Sequence, residues 1–531
     1  MQEKLLTYNI ECVTLFFMVN LIWVKERLII FLLLFLIFLP PTFLLGGYTF
    51  HSLSLIETLV LLTGLTWSLG RIKITKSMVN LPILFYMLSC LLSTINSNYL
   101  RGSWEELIKL ACCIIFFLMI GNYLSTRLKL LVHGFIFTTL IVTSFSLVHF
   151  FTHLPESLTN RLYCPLGNPN LLAGFLVITI PFMIRIIWIV RFRFLLGILL
   201  LFSFITLYFT YSKGGTLGVI GAILFLFFIT QRKRYIFILI AYVLITIGTF
   251  ITYNSVFLSH WIGLHIVFQR CHIWEHSWQM FLDHPILGIG LGAYPNVYFD
   301  YKGEFSWYQH SHNIFMQHAC EVGIIGLLSF IWLLIALFRE SFVSKFNNYE
   351  KAVKEGLLAS LIGFLIHNQV DYFLWLPVFQ LYFWLIMGIL SSIRTKEYIL
   401  LPNLCWSISI IIILFWSFCV LKPFLGYTSF NQGVALADKG KWEKAKIKFE
   451  RAVWFDFYHP IYHVHLGTTN TKIYPPDLSS AIKEYEKATQ LDNHNPLFYK
   501  IYHQKVPSKT IGSDRRNTLS WKLYRRISML D

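Results

Sequence analysis

The 531-residue chain is 56% hydrophobic and only 13% charged, whereas soluble domains carry about 25% charged residues. Its apolar residues lie in runs of roughly 17–25, long enough to cross a bilayer as helices, which excludes an ordinary soluble domain. The positive excess, 44 Lys and Arg against 27 Asp and Glu, is read as cytoplasmic loops and a basic tail, with no nucleic acid as partner.

Residues 1–27 are expected to form an N-terminal cytoplasmic or interfacial segment, in which 13–24 is apolar but short. No cleavable signal precedes the first long run, so that run is expected to be retained. The pattern predicts an all-α, polytopic membrane helix bundle of about 12–13 spans over residues 28–421. The runs are 28–46, 51–69, 78–94, 105–122, 130–151, 170–187, 194–211, 215–230, 235–254, 314–338, 355–371, 377–393 and 398–421. Of the Lys and Arg between Lys25 and Lys396, only Arg101, Lys109, Arg161, Lys213, Arg270 and Lys302 fall in or beside odd-numbered connections. The other nineteen mark even-numbered ones. Basic loops stay in the cytoplasm, so the odd connections face outward. These contain every unusual polar sequence: LYCPLGNPN from Leu162, TYSKGG from Thr210, the long loop 255–313 with HSHN, and HNQVDYFLWLP from His367.

Within the long loop, Ile273, Trp274, Trp278 and Phe281 form an apolar stripe at helical spacing. Pro285 and glycines 288, 290 and 292 end that helix. Beyond residue 421 the chain turns polar and amphipathic. Ala445, Phe449, Ala452, Asp456 and Pro460 recur 36 residues later as Ala481, Tyr485, Ala488, Asp492 and Pro496. Residues 424–510 thus resemble tetratricopeptide repeats, predicted outside the membrane; too few for independent stability, they are expected to dock on the membrane domain or on a protein partner. Residues 511–531 are a basic tail.

The nine cysteines show no paired CxxC spacing, and only Cys164 and Cys271 fall in external loops. His272, Glu275 and His276 match the inverted zincin pattern, but no third ligand follows and no metal is expected. GNPN reads as a turn in which Asn170 caps the next helix.

Arg270 before a Trp, then His284-Pro285 with three alternating glycines and Tyr294, then HSHN, then Glu321-x-Gly323-x-x-Gly326 opening a span, resembles the O-antigen ligase and polymerase superfamily. GNPNLLAGFLVITIP and YSKGG upstream fit the same pattern, so the resemblance covers roughly residues 160–390. It implies inverting transfer of a glycan from undecaprenyl pyrophosphate to a lipid, glycan or protein acceptor. No cofactor is implied, and the place is the outer face of the plasma membrane. A departing pyrophosphate needs fixed cations. Arg270, Lys213 and Arg161 are the external cations, although the family commonly has Arg where Lys213 stands. His312 is the expected base, as the His directly before Asn313, with His310 a further site candidate. Glu321 and Asp371 are carboxylates inside apolar runs, where function is the default expectation. A transporter is the competing reading, disfavoured because the polar groups cluster at one face rather than at mid-depth. A metalloprotease is a weaker one, resting on the inverted zincin pattern alone.

Overall fold

The apolar runs fold as helices, because inside a bilayer only a helix or a closed barrel satisfies every backbone N–H and C=O. The computed structural model describes residues 24–38, 50–68, 73–153, 161–252, 264–302, 308–342, 346–392, 398–400 and 405–505. The expected segment before residue 24, parts of the long loop (255–263 and 303–307) and the basic tail lie outside the described residues.

Six described helices are long and apolar enough to cross a membrane: Phe50–Ser68, Leu128–Thr152, Pro169–Ile186, Lys213–Thr230, Ile314–Phe342 and Ser407–Ala437. Asn80–Ile95, Arg193–Phe209, Arg234–Leu244 and Pro377–Ser392 are shorter apolar helices. The runs at 105–122 and 355–371 fall in the helices Leu100–Tyr123 and Asn348–His367. Both carry several charges, which hold their hydropathy down.

Pro169–Ile186 is the central helix, with every side chain from Leu171 to Ile186 buried. It packs against Lys213–Thr230 and Asn348–His367. Gly218 and Gly363 meet where the latter two cross: a Cβ on Gly218 would stand 2.7 Å from the Gly363 carbonyl oxygen. Small residues of this kind let helix backbones approach where lipid supplies no hydrophobic drive.

The two ends of the bundle are separately stitched. At one end Lys73–Thr75 pairs antiparallel with Tyr398–Leu400, Thr75 facing Tyr398. Arg127 meets Glu26 at 3.5 Å and Arg185 meets Glu355 at 2.6 Å. At the other end the Asn98 amide donates to Ile289 O at 3.0 Å, and the odd connections gather. Residues assigned to one side by charge counting therefore contact residues assigned to the same side.

The last span runs without a linker through a π-turn at Ser417–Leu421 into Lys422–Ala437. The helices Trp442–Phe455, Pro460–Lys472, Leu478–Leu491 and Pro496–Lys505 follow. The residues matched at the 36-residue offset are equivalent in space: Ala445, Phe449 and Ala452 are buried, as are Ala481, Tyr485 and Ala488. Phe449 fills the space over Gly433, and Tyr485 that over Gly467. Asp456 and Asp492 each end their helix, and both reach the bundle. Arg101 grips Asp456 at 2.8 Å, and Asn296 Nδ2 donates to Asp492 Oδ2 at 2.6 Å. His494 and Asp300 add a third contact at 2.5 Å. The helical hairpins thus rest on the same end of the bundle as the glycine loop.

Candidate active site

Among the helices that begin at this end are Pro169–Ile186, capped by Asn168; Lys213–Thr230, capped by Ser212; and Ile314–Phe342, whose first amides bond Asn313 Oδ1. Unpaired N–H groups and the helix dipole make each start electropositive. Asn313 also donates to Gln369 O at 3.2 Å, so its side chain is committed to holding the turn. Asn168, not Asn170, is the cap of the central helix, accepting the Asn170 amide at 2.8 Å.

That frees the Asn170 side chain. Its Nδ2 donates to Asp371 Oδ2 at 3.0 Å, and its Oδ1 accepts from Arg161 Nη2 at 2.5 Å. Asp371 Oδ1 lies 3.0 Å from His312 Nδ1 and accepts the Tyr372 amide at 2.9 Å. The result is a line from Arg161 through Asn170 and Asp371 to His312. His312 itself has φ +55°, a left-handed conformation costly for a non-glycine residue. The turn is held by Trp274 Nε1, which donates to Ser311 O at 3.0 Å, and by Gln317 Oε1, which accepts the Ser311 amide at 2.7 Å.

Arg270 and Arg161 both feel the Asp371 carboxylate, and Lys213 lies within electrostatic reach of Arg161. Burial draws Arg270 below the ordinary guanidinium range, with Asp371 and Tyr308 opposing the shift. A guanidinium nonetheless stays charged in proteins. Arg161 uses its Nε on Thr210 O at 2.8 Å as well as Nη2 on Asn170. Its first task is to hold the turn. Arg270 and Lys213 make no hydrogen bond or ion pair among the described residues, which leaves both heads open to an anion.

A cavity of about 280 Å3 opens beside His312 and Asp371, walled by Asn168, Asn170, Tyr308 and Trp375. His310 lies between it and a second cavity of about 100 Å3 that contains Glu106, Glu321 and Gln380. Both His310 ring nitrogens are buried without a hydrogen-bond partner, and burial pushes the ring down to about 3. An imidazole that burial disfavours from charging suits a wall or a hydrogen-bonding group, and the structure gives the Asp371 contact to His312 instead.

Glu321 does not join His312. Gly323 (φ +66°) breaks the Ile314–Phe342 helix just beyond it, freeing backbone groups at residues buried inside the protein. The glycine loop answers them: Ile289 and Gly290 amides donate to the Cys320 and Glu321 carbonyls at 2.9 and 3.1 Å, and Ile324 N donates to Pro285 O at 2.8 Å. A Cβ on Gly323 would meet Ile286 O at 2.2 Å, so only glycine allows the two segments this close. The Glu321 carboxylate accepts from Gln317 Nε2 at 2.9 Å. It organises the loop and lines the smaller cavity.

In the Leu264–Asp283 helix the buried face is Ile273, His276, Ser277 and Met280, while Trp278 is 51% exposed. The expected stripe included Trp278 as an apolar residue at helical spacing, but residues 273, 276, 277 and 280 are the ones that are buried. Ser277 there bonds Tyr294 at 2.7 Å. His272 and Glu275 lie on the exposed side, and no group of three His, Cys, Asp or Glu among the described residues is arranged to hold a metal. Cys164 and Cys271 are both free thiols.

Residues 198–331 match the family model for O-Antigen ligase. A 116-residue stretch is 30% identical to a Rickettsia conorii protein described as "Putative polysaccharide ligase", covering 20% of this chain and 27% of that protein. The chain thus matches about a quarter of that relative's length. Together the two findings support the O-antigen ligase superfamily. The matched stretch contains Lys213, Arg270, the glycine loop, His310, His312, Asn313 and Glu321. Arg161, Asn170 and Asp371 stand outside it, yet they supply the network that orients His312. Sequence reading gives Asn170 only a capping role; its bridging role has no local signal because Asp371 is 201 residues away.

Proposed function

We propose that the protein transfers a glycan from a polyprenyl pyrophosphate to an acceptor hydroxyl or amide at the outer face of the plasma membrane. One observation carries this reading: an oriented His312–Asp371 pair beside a cavity, with two uncommitted cations, Arg270 and Lys213, in the same field. Asp371 favours the tautomer with hydrogen on Nδ1, leaving the Nε2 lone pair to take the acceptor proton. The acceptor oxygen or nitrogen then attacks the anomeric carbon as the bond to pyrophosphate breaks, inverting that centre. Charge gathers on the leaving oxygen, where Arg270, Lys213 and the electropositive helix starts stabilise it. Glu321 keeps the glycine loop against the broken span. The matches to an O-antigen ligase model and to a polysaccharide ligase support this chemistry. A pathway across the bilayer receives no comparable support, since the polar groups cluster at one end.

The test is transfer of a polyprenyl-pyrophosphate glycan by purified protein. Arg270→Ala and Lys213→Ala are expected to lose transfer by on the order of 100-fold or more while inserting normally, as for other preorganised electrostatic sites. Lys213→Arg is expected to keep activity, since Arg is the residue the resembled family commonly carries there and its planar fork suits a phosphate. Full activity in Arg270→Ala would remove the pyrophosphate site from this pocket.

We read residues 424–510 as tetratricopeptide-like repeats lying outside the membrane, available to a protein partner. In a background lacking the native cysteines, Lys439→Cys should react with a membrane-impermeant maleimide in spheroplasts. Labelling that requires lysis would invert the assigned topology.

A further inference from the structure

A separate cavity of about 290 Å3 lies where the Phe50–Ser68 and Leu100–Tyr123 helices meet the π-turn and the first corner of the C-terminal hairpins. Arg101 stands at its edge, shared between Asp456 at 2.8 Å and Glu105 at 3.1 Å. Glu57 lines the same cavity at 6% exposure, and its carboxylate has no hydrogen bond or ion pair among the described residues. The neighbouring Lys109 is engaged by Glu106. Three carboxylates therefore border the cavity against one guanidinium, and the one with no direct partner is the one buried inside. A buried carboxyl without a partner is costly, so its retention calls for a ligand.

The chemistry of the walls selects that ligand. Uncompensated carboxylates repel a phosphate or another anion. A metal ion is poorly served, since no three ligating side chains converge among the described residues. Trp104 and Tyr458, 44% and 58% exposed, flank the cavity with aromatic rings, and such faces attract organic cations. We propose that this cavity binds a primary ammonium group, with Glu57 as its hydrogen-bonding carboxylate and Trp104 and Tyr458 beside it. Glu57 and Trp104 belong to the bundle, Asp456 and Tyr458 to the hairpins, so an occupant touches both. Leu100 and Phe418, 42% and 66% exposed at the same opening, give an apolar approach suited to an aminophospholipid headgroup as well as to a soluble amine.

The full chain in phosphatidylglycerol discs provides the reference. Adding phosphatidylethanolamine to the discs, or ethanolamine to the buffer, is expected to raise the unfolding midpoint by about 2–4 °C near saturation. Glu57→Gln should remove that shift, and Trp104→Leu should reduce it, which keeps the test open if the Gln variant does not fold. A shift from the lipid alone assigns a headgroup, and one from the buffer amine assigns a soluble ligand. Equal stabilisation by phosphatidylcholine, a shift that survives Glu57→Gln, a shift undiminished in Trp104→Leu, or no shift from either amine source overturns the proposal.

Discussion

Asp371→Asn is expected to lower glycan transfer by on the order of 10³–10⁴-fold with little change in membrane insertion, comparable to the loss when an acid that orients a catalytic His becomes an amide. The direction of the hydrogen bonds makes the substitution severe. Arg161 is donor-only, so Asn170 must turn its oxygen toward Arg161 and its NH2 toward residue 371. Tyr372 N–H and His312 approach the other carboxylate oxygen. Both oxygens of Asp371 therefore receive donors, and an amide retains only one acceptor. If Asn at 371 presents its NH2 to Asn170, two donors oppose each other. If it presents its NH2 to His312, Nδ1 becomes the acceptor and the hydrogen moves to Nε2, the nitrogen that must be bare. Transfer should be measured with purified protein at matched membrane levels, alongside His312→Ala and the double variant. Residues that act as a unit lose little more together than singly. Transfer within tenfold of wild type in Asp371→Asn would sink the base assignment.

The span pattern was legible because hydropathy and Lys/Arg placement are local, additive signals. Described helices coincide with the apolar runs, and contacts at each end respect the assigned sides. Less legible was how far each helix runs. The run at 398–421 continues as helix to Ala437, because Lys422 and the polar residues after it extend a helix as readily as apolar ones. The break at Gly323 is likewise invisible to hydropathy, since flanking residues Val322 and Ile324 are as apolar as the rest of the span. It is explained only by the glycine loop that bonds to the opened backbone.

At the site, Arg270, Lys213 and Arg161 are legible as external cations, His312 as the imidazole directly before Asn313 and Asp371 as a carboxylate inside an apolar run, and they are brought into one electrostatic neighbourhood. Their division of labour depends on partners far away in sequence. Arg161 is tied down by Asn170 and Thr210 while Arg270 is left open, a difference that residue type cannot express. Glu321 is legible only as a carboxylate inside an apolar run; nine residues of helix beyond His312 set it beside the glycine loop, a partner that its own sequence neighbourhood does not announce. Asp456 and Asp492 were recognisable as repeat corners. Docking on the bundle is one of the two outcomes that so short an array predicts; that it runs through Arg101 and Asn296 follows only from the assembled fold.

Arg185→Ala is expected to destabilise the bundle by about 3–5 kcal/mol, the usual result of stranding one member of a buried ion pair. Charge counting treats Arg185 as a cytoplasmic marker, yet its side chain turns inward at the last turn of the central helix. Nε lies 2.6 Å from Glu355 Oε2, and the two residues are 9% and 4% exposed. Removing the guanidinium leaves the Glu355 carboxylate among apolar neighbours without its countercharge. Arg185→Lys should fall between, since an ammonium supplies charge but not the planar fork. Replacing both residues, as Arg185→Met with Glu355→Leu, should recover most of the loss, because no charge remains to desolvate. The pair lies at the end of the bundle opposite His312, so transfer per folded molecule should be unchanged in all three variants. Chemical unfolding in detergent, followed by Trp fluorescence, measures the cost. An Arg185→Ala variant within about 1 kcal/mol of wild type would mean that water or lipid headgroups reach Glu355, and that the pair is a surface interaction of small value.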